Sequence, residues 1–425
     1  MLVAAGGSLY LAAMIALAVT RAPLGTPVFF ACAAVATGVF ACLLAAIWRN
    51  PAFNQRTFLI AILFAVAIRA PLAGSPVKHD NDMIRYLWDG RVQKLGINPY
   101  AVRPADPEMA FTHTDETRNM PSARARTPYP PAAQVFFRFV VTIRDSAYAM
   151  KFALVACDLL TMLVLWRWLV VTRRSEWLTL AYAWNPLVVL EVAHSGHIDA
   201  LGALWTVTAA FWLTRRKTGL ATIAFVLAVA TKLLPIVLAP LLWRRITLRD
   251  AFIGAGLFVL LYLPFATGTD VLYAVHNVVQ NIRFNGPAFR FLATMTSPDV
   301  AARIAVGAGL LVAAWTRWKL PVDHAGAWAW PMAVAIALAP VIYPWYLLYL
   351  TPFLLIPTTL PLLAWCASIL LTYVVWEAAR HGGRWAVPQS ILVVEYGIAL
   401  AAAGLLLWWL RRQAAARQPV SQPLG

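Results

Sequence analysis

Apolar runs of about 17 residues or more recur from one end of the chain to the other, each long enough to cross a bilayer as an α-helix. They lie at 2–20, 27–48, 57–73, 148–171, 177–193, 199–214, 251–267, 301–316 and 390–410. Shorter apolar pieces lie at 218–230, 233–243, 326–342, 345–357 and 359–376. A literal count makes about fourteen spans. The stretches 218–243 and 345–376 also read as half-helices or single bent helices, so the pattern predicts about 12–14. The expected fold class is all-α, a polytopic integral membrane helical bundle. The first run has no basic residue before it and no cleavage site, so it reads as a retained span rather than a signal peptide.

One long polar interval, 74–147, breaks this pattern. Its densest part is His79–Tyr100, HDNDMIRYLWDGRVQKLGINPY. The alternation at Met83-Ile84-Arg85-Tyr86-Leu87-Trp88 suits a helix lying along the membrane surface, which Gly96 and Pro99 then break. The stretch Pro104–Arg126 is polar and predicted to be mobile. At Thr127–Phe137 the chain turns back toward the bilayer, with Pro130-Pro131 stiffening the turn.

Charge orients the spans. The chain is 61% hydrophobic and 12% charged, about half the charge of a soluble protein. Its net charge of +17 does not indicate nucleic acid, because the basic residues sit in short clusters at span ends: Arg49/Arg56, Arg173/Arg174, Arg215–Lys217, Arg244–Arg249, Arg317/Lys319 and Arg411/Arg412. The positive-inside rule places these in the cytoplasm. Both termini are then cytoplasmic, with 413–425 a cytoplasmic tail, and 1–425 reads as one transmembrane domain whose extracytoplasmic loop is 74–147. The polar positions that remain fall on the outer side: Asp80, Asp82 and Asp89; His194, His197 and Asp199; Lys232; Asn281 and Asn285; Tyr343–Tyr346; Glu377, Arg380 and Arg384. Eight of the 18 acidic residues lie between Asp80 and Asp145. An outward-facing enzyme has this distribution. A lipid or solute transporter, the competing reading, more often sets its charges near the midplane between repeats, and no internal repeat is evident. The four cysteines lie in apolar runs without a CxxC or Cys/His cluster, which argues against disulfides and zinc.

Several residues are candidates for chemistry. Asp80 and Asp82, at i and i+2, share one side of an extended segment and could supply a general base or hold a divalent cation. His194, His197 and Asp199 read as the lining of a substrate site rather than a metal site, since no third firm ligand is evident. Lys232, flanked by apolar residues, calls for an anionic partner such as a phosphate, or snorkels from a span end. Arg290, Arg380 and Arg384 are second-tier phosphate candidates. YPWYLLYL (Tyr343–Leu350) reads first as aromatic belt, with Trp345 and Tyr346 able to stack on a sugar. Glu395 reads as an intramembrane carboxylate paired with a hydroxyl or an arginine.

NDMIRYLWDGRVQKLGINPY, YPPAAQVFF, NPLVVLEVAHSGHIDALG, ATKLLPIVLAPLLWRR and YPWYLLYLTPF resemble, in that order, the bacterial GT-C glycosyltransferases of glycosyltransferase family 87. These are similar to polyprenyl-phosphate-mannose-dependent mannosyltransferases. The resemblance runs from about Asp80 to Leu350. It implies a multi-span bundle with a catalytic aspartate in the first extracytoplasmic loop. The implied donor is a polyprenyl-phosphate hexose, mannose ahead of other hexoses, transferred with inversion to a lipid, polysaccharide or protein glycan. It also implies a bacterial inner membrane. Asp82 precedes Arg85-Tyr86 as the family's aspartate does. Relatives carry an acidic pair where this chain has Asn81-Asp82, so Asp80 stays open as the base. A histidine expected before Pro-Trp-Tyr is Tyr343 here, which therefore receives no catalytic role. On this reading Arg85, Tyr86, Asp89, Asn98, Tyr100, His197, Asp199 and Lys232 bind substrate. No cofactor is expected; a divalent metal is compatible but not indicated.

Overall fold

The first three helices, α1 (Leu2–Thr20), α2 (Pro27–Arg49) and α3 (Gln55–Ala73), follow the apolar runs closely. They belong to a computed structural model that describes residues 2–49, 54–76, 82–266 and 273–416. α3 begins where the Asn54 side chain accepts the Thr57 N–H at 2.9 Å, capping the helix N-terminus. The loop that follows contains α4 (Asp82–Lys94) and α5 (Pro131–Ile143), and the chain returns to membrane length in α6 (Ala147–Val171). Pro131 stands at the first turn of α5, where its missing N–H costs nothing.

Among the described residues there is no strand, only an isolated bridge between Phe284 and Val341. Eight helices among the described residues are long and apolar enough to span a bilayer: Val3–Thr20 within α1, then α2, α3 and α6, then Leu248–Phe265, Pro298–Lys319, Pro357–Arg380 and Gln389–Gln413. The protein is an all-α polytopic membrane protein. Large apolar side chains such as Leu63, Val19, Trp318 and Leu400 face outward, as they do toward lipid.

The other expected spans are made of shorter pieces. The stretch 177–193 is a series of turns, Glu176–Thr179, Leu180–Ala183 and Pro186–Val188, ending in a π-helical turn at Val189–His194. Pro186 interrupts it. Every residue from Thr179 to Ala193 is buried, the setting in which irregular backbone is tolerated at membrane depth. The stretch 218–243 divides into the helix Thr218–Thr231 and a 3-10 segment Leu234–Leu242, with Lys232 extended between them (φ −158°, ψ 140°). The stretch 345–357 is likewise short 3-10 turns, Pro344–Tyr349 and Thr351–Phe353.

A charge network ties α3, α6 and the broken segment together. The Arg69 guanidinium pairs with Asp158 through two nitrogens and donates to the Ala65 and Ala183 carbonyls at 2.6 and 2.8 Å. The Tyr182 hydroxyl donates to Asp158 at 2.7 Å. Lys151 of α6 donates to the Leu72 and Ser75 carbonyls at the end of α3, filling acceptors that a helix C-terminus leaves open.

α4 presents no open amphipathic face. Met83 to Gln93 are all buried, because α5 packs on one side and the loop folds over the other. A Cβ on Gly90 would stand 2.6 Å from the Phe137 carbonyl oxygen, so only glycine permits this approach of α4 to α5. The polar stretch 104–126 is laced down: Trp88 Nε1 donates to Thr112 Oγ1 at 2.8 Å, Arg91 to the Thr112 carbonyl at 3.0 Å, and Arg91 pairs with Asp145 at 2.7 Å. The His113 ring lies 2.8 Å from the Pro104 carbonyl and 3.1 Å from that of Thr117.

Candidate active site

The N-terminus of α4 opens into a cavity of about 650 Å³. Asp82, the first residue of α4, stands half-buried in its wall, where the positive end of the helix favours a carboxylate. Arg85 and Tyr86 follow one turn on. His194, His197 and Asp199 come from the break between the π-helical turn and the next helix. Lys232 comes from the extended residue after Thr231, and Tyr343, Trp345, Tyr346 and Tyr349 from the 3-10 turns. Each contributor sits at a helix end or a break, so the interrupted spans are what bring polar side chains together here. Gly196 takes φ +71°, and a Cβ there would stand 2.7 Å from Met83 Sδ; a glycine is needed to seat the His194–Asp199 turn on α4.

Asp199 and Lys232 form an ion pair of 2.6 Å, and the Lys232 ammonium lies 3.9 Å from the centre of the Tyr346 ring. His197 Nδ1 lies 3.0 Å from Glu191 Oε2, off the line of an aligned hydrogen bond. Glu191 Oε1 accepts from the Tyr373 hydroxyl at 2.7 Å. The His197 ring stacks on Trp345 at 4.0 Å and Tyr343 stacks on the same indole at 4.4 Å. Trp345 is therefore engaged by protein rings. Ring stacking of this kind contributes about 0.5–1.5 kcal/mol per pair. Trp345→Ala should thus release His197 and lower turnover roughly tenfold, with Trp345→Phe keeping most of it; steady-state kinetics on both variants checks this, and unchanged kinetics in Trp345→Ala would remove the role.

Burial pushes the Asp82 carboxyl above the ordinary aspartate range, against the opposing pull of His197, Lys232 and Arg85. Its surroundings thus suit a group that takes up a proton. Most of the apolar lining comes from the helix Tyr273–Asn281, through Ala274, Val275, Val278 and Val279 beside Asn277, together with Ala335 and Ile336.

The structure brings Asp82, Arg85, Tyr86, His197, Asp199 and Lys232 to one cavity. Asp89, Asn98 and Tyr100 are outside its wall. Asp89 is enclosed, with Arg85, Thr127 and Gln134 donating to its carboxylate at 2.7, 2.5 and 2.9 Å. Asn98 donates to the Phe265 carbonyl at 3.3 Å and accepts the Tyr100 N–H at 3.0 Å; the Tyr100 hydroxyl donates to the Tyr129 carbonyl at 2.6 Å. These three hold α4 and its loop in shape. Asp80 lies outside the described residues. Arg380 reaches the cavity rim already paired with Glu377. Glu395 is buried away from the cavity and accepts from the Asn285 amide at 3.0 Å and the Trp365 indole at 2.8 Å, in place of a hydroxyl or an arginine. Glu191, Arg126 and Tyr349 had no assigned role in the sequence. Arg126 is hidden there as one more basic loop residue, whereas Glu191 carries a legible signal as a carboxylate inside an apolar run.

No curated protein and no solved structure matches the chain. A family model described as alpha-(1->6)-mannopyranosyltransferase, N-terminal domain, matches residues 2–246, more than half of the sequence. The match contains α1 to α6 and, within the cavity wall, Asp82, Arg85, Tyr86, His197, Asp199 and Lys232, and it agrees with the mannosyltransferase resemblance of the motifs. The chain belongs to the alpha-(1->6)-mannopyranosyltransferase family and is a membrane mannosyltransferase.

Proposed function

We propose that the protein transfers mannose from a polyprenyl-phosphate donor to an acceptor hydroxyl, with inversion, and that Asp82 is the general base. The reaction would take place on the extracytoplasmic face of a bacterial inner membrane, with both chain termini in the cytoplasm. The observation that carries this reading is the cavity's composition. A half-buried carboxylate at a helix N-terminus shares one space with the Lys232–Asp199 pair and with apolar lining from the helix Tyr273–Asn281. Asp82 removes the acceptor hydroxyl proton as the oxygen attacks the anomeric carbon, and the phosphate departs from the opposite face through an oxocarbenium-like state. Positive side chains on the wall meet the charge that develops on the phosphate. An α-linked product, as the family's description names, follows by inversion from a β-linked donor. The acceptor is a lipid, polysaccharide or protein glycan.

The test uses the full chain in nanodiscs with labelled β-mannosyl prenyl phosphate or GDP-mannose, an acceptor mannoside, and digestion of the product by α-mannosidase. Label passing only from the lipid donor into an α-mannosidase-sensitive product is the expected result. Equal use of GDP-mannose would overturn the donor assignment, and a resistant product would overturn inversion from a β-linked donor.

A further inference from the structure

The charged groups on the cavity wall differ in what they leave unmet. Arg85 Nη2 and Arg126 Nε are buried donors without a hydrogen-bond partner. Asp199 Oδ2 is a buried acceptor without one, while its other oxygen holds Lys232. Buried polar atoms are nearly always satisfied, so each such atom facing a cavity marks a place for a complementary group. Unmet guanidinium N–H groups call for an anion, and an unmet carboxylate oxygen calls for a hydroxyl.

We propose that Arg85 and Arg126 form the seat of the donor's phosphate, and that Lys232 and Asp199 belong to the sugar end of the cavity, where Asp199 Oδ2 accepts a sugar hydroxyl. This rests on the lipid-phosphate reading above and places the anion away from the lysine that first suggests itself.

Three further observations agree. The Lys232 charge is balanced by Asp199 at 2.6 Å and the Arg85 charge by Asp89 at 2.7 Å, whereas no described acidic residue forms an ion pair with Arg126, so Arg126 supplies the uncompensated charge of the seat. The Arg126 guanidinium lies 5.3 Å from the centre of the Tyr273 ring, and Tyr273 begins the helix that supplies the apolar wall. Arg126 thus stands where polar rim and apolar wall meet, as a phosphate esterified to a prenyl chain requires. Finally, the Arg85 side chain runs along α4 toward Asp89 and the carbonyls of Ser122 and Ala125, away from Asp82. Inversion needs base and leaving group on opposite sides of the anomeric carbon, and in the proposed seat the phosphate meets the end of Arg85 that is turned toward Asp89 and the loop carbonyls.

The step balances. The acceptor proton passes to Asp82, and the acceptor oxygen bonds to the anomeric carbon. The bond from that carbon to the phosphate oxygen breaks with its electron pair left on the phosphate. The phosphodiester monoanion becomes a monoester that gains one negative charge at the two arginines.

Binding to the full chain in nanodiscs tests the seat, with farnesyl phosphate, farnesol and inorganic phosphate as separate probes. Wild type is expected to bind farnesyl phosphate at least about tenfold tighter than either other probe. Arg126→Ala is expected to lose about tenfold or more of that affinity, with Arg126→Lys recovering part. The double variant Lys232→Met, Asp199→Asn, which removes the pair without stranding a charge, is expected to stay within about threefold of wild type. Full affinity in Arg126→Ala, or a larger loss in the double variant, overturns the seat and leaves the donor class standing. A wild type that does not separate farnesyl phosphate from farnesol, or that holds inorganic phosphate as tightly, overturns the lipid-phosphate reading and the seat with it.

Discussion

Asp82→Asn should lower mannosyl transfer by about 10²–10⁴-fold, the range a positioned general base supplies, while the protein keeps its elution volume and thermal midpoint. Asparagine preserves the shape of the side chain and its place at the head of α4, so the loss would report on proton uptake. Initial rates with the lipid donor measure it; transfer within a few-fold of wild type would return the role to Asp80. The pH profile carries a second reading of the same group. The carboxylate, not the acid, accepts the proton, so kcat/KM falls as pH drops through the Asp82 titration. Burial raises that titration, so the acid limb should lie above the roughly 3.9 of an ordinary aspartate. His197 pulls the titration down, and His197→Gln should therefore move the limb to higher pH.

Asp158→Leu should be among the most destabilising single changes in the chain. It removes the anion from Arg69 and the acceptor from the Tyr182 hydroxyl, both within the buried network. Removing one partner of a buried ion pair costs about 3–5 kcal/mol, because the other charge is left without compensation. The double change Arg69→Met, Asp158→Leu removes both charges and should recover much of the loss, a non-additivity expected of groups in contact. Thermal unfolding of the purified variants in one detergent decides the matter: equal midpoints for Asp158→Leu and wild type would mean that the pair contributes little.

Hydropathy made the long spans legible, since lipid demands unbroken apolar helices of fixed length, and α1, α2, α3 and α6 end within a few residues of their apolar runs. It failed where an apolar run is buried in protein instead of facing lipid. The stretch 177–193 is apolar enough for a span, yet Pro186 and the packing around it make turns. α4 misled for a related reason: Arg85, Asp89, Arg91 and Gln93 look like a solvated face, but α4 itself, the loop and α5 engage them internally, with Arg85 Nη2 alone among their donors left open. Asp82, His197, Asp199 and Lys232 were readable as residues of a polar cavity because a polar residue beside an apolar run has few uses. Asp89, Asn98 and Tyr100 share their motif but lie outside the cavity wall, a distinction that spacing does not encode. The same reasoning applied to single charges would have found Arg69 in LFAVAIRAPLA and Asp158 in ALVACDLLTML, two opposite charges inside spans.

That ion pair also sets a timetable for synthesis. Arg69 and Asp158 are 89 residues apart in the chain, so at about 5–20 residues per second the arginine leaves the ribosome roughly 4 to 18 s before its counter-ion. An arginine at the centre of a lone helix is disfavoured by about 2.5–3.5 kcal/mol at the insertion machinery, and Arg69, one turn from the end of α3, can lessen this by reaching toward the headgroups. α3 is therefore expected to stay shallow or held by the machinery until α6 arrives, and the two to commit to the bilayer as a unit.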